Sequence, residues 1–319
     1  MSKKVVRKQK GQVVRASSRR KGPMTIVIVI ALIATVGVIA GWGRYKSTGK
    51  KQEKGGNSEV VAASFTATKP AKEYIYADSR VVATEEPNHA STIGVYHQSS
   101  RTFYLRLGNT DLAIQYGPQG ATPVVGDWDG DHITTIGAYD SASRTFYLRN
   151  TNSAGNADLT IQYGPQNAIP IAGDWNGDGT TTIGVYDPGT RTFYLRNSNT
   201  AGNADISVSF GPPGCLPIVG DWNGDGDTTI GVYEPGTRTF YLRNSNTVGN
   251  ADLTIQYGPL GATPIVGDWD DDHVTTIGVY DPNSQIFYLR NTNNAGNADL
   301  TFSYGPSGSV PLAGDWDGF

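Results

Sequence analysis

The chain repeats itself. Gly-Asp-Trp begins at Gly126, Gly173, Gly220, Gly267 and Gly314, every interval being 47 residues. Ile-Gly-(Val/Ala)-Tyr begins at Ile93, Ile136, Ile183, Ile230 and Ile277, at intervals of 43, 47, 47 and 47. The first unit is short because Leu107-Gly108-Asn109-Thr110 stands where the second has the longer Asn150 to Ala157. Such a period restricts the chain to architectures in which one supersecondary unit stacks on copies of itself.

Each unit holds four strand-like runs. In the third they are Ile171–Trp175, Thr182–Asp187, Thr192–Asn197 and Ala204–Phe210. They are rich in β-branched and aromatic residues, and apolar residues alternate, as in Ile183 and Val185 or Phe193 and Leu195. Turn signals such as Asp187-Pro188-Gly189 and Gly211-Pro212-Pro213 separate them. Four short strands per unit predict an all-β fold, a five-bladed β-propeller with four strands per blade. The repeat region, 91–319, starts on a second strand (Thr92–Tyr96) and stops after a first one (Pro311–Trp316). Joining the two completes the first blade and covers the edges an open array would leave exposed. The alternative is a truncated array, since the chain stops inside a loop at Phe319.

Between the first and second strands lies a recurring acidic loop. It reads Asp127-Trp-Asp129-Gly-Asp131, Asp174-Trp-Asn176-Gly-Asp178, Asp221-Trp-Asn223-Gly-Asp225 and Asp268-Trp-Asp270-Asp-Asp272. Side-chain oxygens at positions 1, 3 and 5 of a tight loop can converge on a hard cation such as calcium, with a carbonyl at position 7 completing the shell. Gly179 and Gly226 at position 6 permit the sharp turn. At these residues the chain resembles the FG-GAP or VCBS-type repeats of bacterial surface proteins and integrin α-subunit propellers. The resemblance covers roughly 91–319. It implies a propeller whose loops bind calcium and whose faces bind protein or glycan. The chain departs from that pattern at position 9, where Thr135, Thr182, Thr229 and Thr276 replace a carboxylate, and at position 6, where His132 and His273 replace Gly. The Gly179 and Gly226 loops are therefore the better calcium candidates. The alternative is a metal-free Asx-turn scaffold, in which the same oxygens cap backbone N–H groups.

Charge divides the chain. Residues 1–56 carry 14 Lys/Arg and one acid, a net of +13, and residues 57–319 carry 12 Lys/Arg and 28 acids, a net of −16. From Ser91 onward there is no lysine, and nine arginines face 23 acids. That balance argues against nucleic-acid binding over a broad basic surface. Met24 to Trp42 is 19 residues without a charge. As a helix it spans about 28 Å, close to a bilayer's hydrocarbon core. Nine Lys/Arg precede it and five follow closely. The expected topology is thus a basic cytoplasmic tail (1–23), a transmembrane anchor (24–42) and an exported, periplasmic or extracellular remainder. The alternative is a signal peptide cleaved after Val38-Ile39-Ala40. Residues 43–72 read as a flexible linker of roughly 30 Å root-mean-square span. Residues 73–90 read as a short hairpin or linker, resembling tail segments beside Tyr-Asp repeats in bacterial surface proteins.

Other recurring groups have plainer readings. The loop tryptophans (Trp128, Trp175, Trp222, Trp269, Trp316) suit core packing better than sugar stacking. Arg106, Arg149, Arg196, Arg243 and Arg290 are expected to pair with nearby acids on a solvated face. The Asn-rich turns, such as Asn197–Asp205, are contact loops or ordinary hairpin turns. The single cysteine, Cys215, excludes an internal disulfide framework. A glycosidase needs two or three carboxylates converging at one asymmetric site. Here acids recur in register around a ring, and no Ser-His-Asp set assembles from His89, His97, His132 and His273. The expectation is a non-catalytic binding or adhesion module, with a multivalent lectin and a structural spacer as alternatives.

Overall fold

The computed structural model describes residues 73–77, 80–85, 90–108 and 110–318. The expected anchor and linker lie outside the described residues. Glu73–Ala77 and Arg80–Glu85 pair antiparallel as a two-stranded hairpin with an irregularity between Ile75 and Tyr76.

The remaining strands form five antiparallel four-stranded sheets, one per repeat. In the third, Ile169–Gly173, Thr182–Asp187, Thr192–Leu195 and Ile206–Ser209 pair in sequence order. The first sheet is built from both ends of the repeat region. Ser309–Gly314 pairs with Thr92–His97 in an unbroken register from Ser309↔His97 to Gly314↔Thr92. The five innermost strands touch one another around a closed ring. The fold is a five-bladed β-propeller.

Alternation explains the packing. On the second strand, Ile183 and Val185 point to one side, and Gly184 and Tyr186 to the other. All are buried because each blade is covered on both faces by its neighbours. The core is therefore a set of clusters straddling the seams. One joins Trp175, Tyr186, Phe193, Leu195 and Val208 of the third blade to Ile230 and Val232 of the fourth. A Tyr–Phe pair recurs in each blade, as in Tyr186–Phe193 with centroids 4.7 Å apart and planes tilted by 50°. That is a favourable geometry for aromatic pairs.

A latch recurs at every seam. The Thr181 N–H donates to the Asp127 carbonyl at 2.7 Å, and the Asp127 N–H donates to Thr181 Oγ1 at 3.0 Å. Thr228 with Asp174 and Thr275 with Asp221 repeat both bonds. Ser91 with Asp268 and Thr134 with Asp315 carry the latch across the closure. The innermost strands enclose an axial cavity of about 270 Å³, lined by Pro170, Ala172 and their counterparts.

Candidate functional site

Antiparallel order places the acidic loops and the Asn-rich turns at one end of the ring. The second-to-third-strand turns and the Tyr-Gly-Pro connections lie at the other. Within each acidic loop the first Asp organises the backbone. Asp127 accepts from the N–H groups of Gly130 (2.7 Å), Asp131 (3.1 Å) and His132 (2.8 Å). Asp221 does the same for Gly224, Asp225 and Gly226. Asp174 takes Asp178 and Gly179, and Asp268 takes Asp272 and His273. The Asx-turn scaffold is thus present in all four loops.

What differs is the residue at position 3, Asp in two loops and Asn in the other two. Asp127, Asp129 and Asp131 bring carboxylate oxygens within 4.8 Å of one another, as do Asp268, Asp270 and Asp272. Asp268 also groups with Asp271 and His273. These acidic groups can hold a metal ion. In the other two loops an amide takes the central place. Asn176 Nδ2 donates to Asp178 Oδ2 at 3.0 Å, and Asn223 Nδ2 to Asp225 Oδ2 at 2.8 Å. The Asp178 carboxyl is held low chiefly by that Asn176 hydrogen bond. The Asp129 carboxyl is pushed up, first by burial and then by Asp131 and Asp127. In the Asp127 loop like charge thus gathers at Asp129, which a dication would neutralise. His132 and His273 adopt φ of 68° and 66°, the same left-handed backbone as Gly179 (87°) and Gly226 (95°), so His does not break the turn.

The position-9 threonines are not ligands in waiting. Thr182 is buried, and its hydroxyl bridges the Gly173 and Arg196 carbonyls at 3.2 and 2.7 Å. Thr135 and Thr276 bridge equivalent carbonyls. Thr229 bonds to the Gly220 carbonyl at 3.1 Å.

The five loop tryptophans are buried, with Trp175 Nε1 donating to the Ile183 carbonyl at 3.4 Å. Each expected arginine pairs with an Asp of its own blade: Arg106–Asp111, Arg149–Asp158, Arg196–Asp205, Arg243–Asp252 and Arg290–Asp299. Four of these side chains are only 10–13% exposed, so the solvated face expected for them is a correction. The cause is the Asn-rich turn, which folds over the guanidinium. Arg196 donates to the Thr200 and Asn203 carbonyls and to Thr200 Oγ1. A Cβ at Gly202 would lie 3.1 Å from the guanidinium nitrogens on a backbone with φ of 155°, so a side chain there would crowd the arginine.

One feature of the seams has no counterpart in the sequence expectations. A cavity of about 420 Å³ opens between the first and second blades, lined by Arg101, Gln115, Tyr116, Tyr147 and Asn156 among others. Its sequence signal is the periodic Arg-Thr-Phe-Tyr and Tyr-Gly-Pro runs. No family model matches the chain, and no curated protein matches it.

Proposed function

We propose that the chain is a membrane-tethered, exported propeller of FG-GAP/VCBS type that binds a protein or glycan partner without catalysing a reaction. Residues 24–42 would hold it in the membrane, with the ring on the periplasmic or extracellular side. The observation that supports this reading is the recurrence of the polar surface. The Asx-organised loops, the Arg–Asp pairs and the Asn-rich turns repeat around the ring on the same buried support. Catalysis needs one asymmetric convergence of groups, whereas a repeated surface provides several equivalent contacts. Adhesion is the role such multivalency serves.

Calcium enters this reading as a stabiliser. Asp127, Asp129 and Asp131, and likewise Asp268, Asp270 and Asp272, would share one ion per loop through hard oxygen ligands. The amide-bridged loops bind more weakly.

The experiment uses the full chain in detergent. It combines a glycan array with pull-down from the surface fraction of cells, each with calcium and with chelator. Retention of a partner is the expected result. Absence of any protein or glycan partner in both arms would overturn the binding reading in favour of a spacer. The lectin alternative has one specific observation in its favour, the seam cavity.

A further inference from the structure

We propose that the seam between the first and second blades binds a pyranose sugar bearing a carboxylate. The inference rests on the binding-module reading and names its ligand class. The cavity of about 420 Å³ lies within the range of small-ligand pockets, ~300–1,000 Å³.

Arg101 supplies the anion contact. Its Nη1 donates to the Gly117 carbonyl at 3.0 Å, which orients the guanidinium. Like Arg144, Arg191 and Arg238 at the equivalent positions, Arg101 has no carboxylate within ion-pair distance among the described residues. The turn that carries Arg101 begins at His97, where the other blades place Asp140, Asp187, Glu234 or Asp281. The first seam is thus where this acidic ring leaves a cation without a local acid. Arg101 holds φ at 56°, the left-handed turn conformation it shares with Arg144, Arg191, Arg238 and Gln285, at a cost of order 1 kcal/mol. A planar guanidinium held this way suits bidentate capture of a carboxylate.

The rest of the lining suits a sugar ring. The Tyr116 hydroxyl is buried and has no hydrogen-bond partner among the described residues. A buried hydroxyl of this kind is a place for a ligand hydroxyl. Half-buried Tyr147 offers an aromatic face for the ring's C–H groups. Gln115 donates through Nε2 to the Ser100 carbonyl at 3.1 Å, which leaves its own carbonyl oxygen to accept from the ligand.

The ring contains its own controls. Gln285 occupies the Arg101 position in the fifth blade, and Phe210 occupies the Tyr116 position in the third. Arg101→Gln and Tyr116→Phe therefore place side chains that this fold already accommodates. The test measures binding of a glucuronate-terminated oligosaccharide and its glucose-terminated analogue to the full chain in detergent, by calorimetry. The expected result is preference for the glucuronate, with about tenfold or greater loss in Arg101→Gln, a smaller loss in Tyr116→Phe, and no change in Arg191→Gln at the third seam. Equal binding of the two sugars, or no binding, overturns the proposal. So does glucuronate binding that survives both first-seam variants, and in that case the binding-module reading still stands. That wider reading falls only when the array and pull-down arms are also empty.

Discussion

The closure of the ring can be tested by one pair of substitutions. Trp175 lies in the middle of the chain, and Trp316 lies three residues from its last one. In the closed ring they are equivalent. Each is 3% exposed. Trp175 Nε1 donates to the Ile183 carbonyl at 3.4 Å, and Trp316 Nε1 to the Ile93 carbonyl at 3.3 Å, across 223 residues. A Cβ added at Gly184 would lie 3.0 Å from Trp175 Cζ2, and one at Gly94 3.1 Å from Trp316 Cζ2. Truncating a buried Trp to Ala costs about 3–5 kcal/mol. For a domain of this size each kcal/mol lowers Tm by roughly 2–4 °C. Both Trp175→Ala and Trp316→Ala should therefore lower Tm by about 6–20 °C, and by amounts that agree within a few degrees. Differential scanning calorimetry is the right assay, since fluorescence would lose part of its own signal. If Trp316→Ala cost under about 1 kcal/mol while Trp175→Ala cost its full amount, Ser309–Gly314 would not be the innermost strand of the first blade.

Three further outcomes follow from the geometry. Calcium should raise Tm, with a gain approaching about 2.7 kcal/mol at a hundredfold excess over Kd. Asp129→Asn should abolish the part of that gain due to its loop while leaving the metal-free protein as stable as before, because it removes a like charge. An unchanged calcium response in Asp129→Asn would refute the assignment. Cys215 is buried and its thiol is pushed up to about 11, first by burial and then by Glu234. Alkylation at neutral pH should thus be slow in the folded state and fast in denaturant, as a thiol-labelling time course would report. Burial pushes Tyr116, Tyr163, Tyr186, Tyr257 and Tyr304 up to about 12. These groups favour folding fully below pH 10, their ordinary value, and that contribution is lost as pH rises toward 12. Tyrosinate absorbance should appear together with loss of circular dichroism in that window, and tyrosinate formation in a still-folded ring would contradict the burial argument.

Much of the ring was legible because propeller packing is periodic in the sequence itself. The 47-residue interval and the period-2 alternation of Ile183 and Val185 specify blades and buried faces directly. Strand ends were less legible. The innermost strand runs Ile169–Gly173 and not to Trp175, because Asp174 turns its carboxylate back to cap the loop. The third strand ends at Leu195, after which Arg196 and the Asn-rich turn organise each other. The site was legible in part. The spacing of Asp127, Asp129 and Asp131 implied convergence, which the loop provides. It could not show that the Asn176 amide would bond to Asp178, nor that the Thr182 hydroxyl would turn inward to backbone carbonyls. The seam cavity was hidden for a different reason. Arg101, Tyr116 and Tyr147 lie 15 and 31 residues apart in sequence order and belong to two blades. Only the stacking of one repeat on the next brings them together.

Symmetry itself separates support from specificity in this fold. A residue that mediates blade-to-blade contact meets closely similar surroundings at each seam, so nearly one shape must serve throughout. Val95, Val185, Val232 and Val279 each lie under the Gly-Pro connection of the preceding blade, where a Cβ on Gly305, Gly164, Gly211 or Gly258 would approach within 2.5–2.8 Å. Changing either partner at one seam strains a closed ring that cannot open to relieve it. The residues around the seam cavities carry no such constraint. His97 replaces an acid, Gln285 an arginine, Phe210 a tyrosine, and Ser209 and Ser303 a glutamine, while the glycine contact beneath them remains, against Val at four seams and against Ala138 at the first. The differences in charge and polarity among the five units thus fall where a ligand would meet them, while the closure contacts vary only by small trims, Ala138 for Val and Ser91 for Thr. A ring built this way can present sites that differ in charge and polarity on one repeated scaffold, with the first seam the most cationic of them.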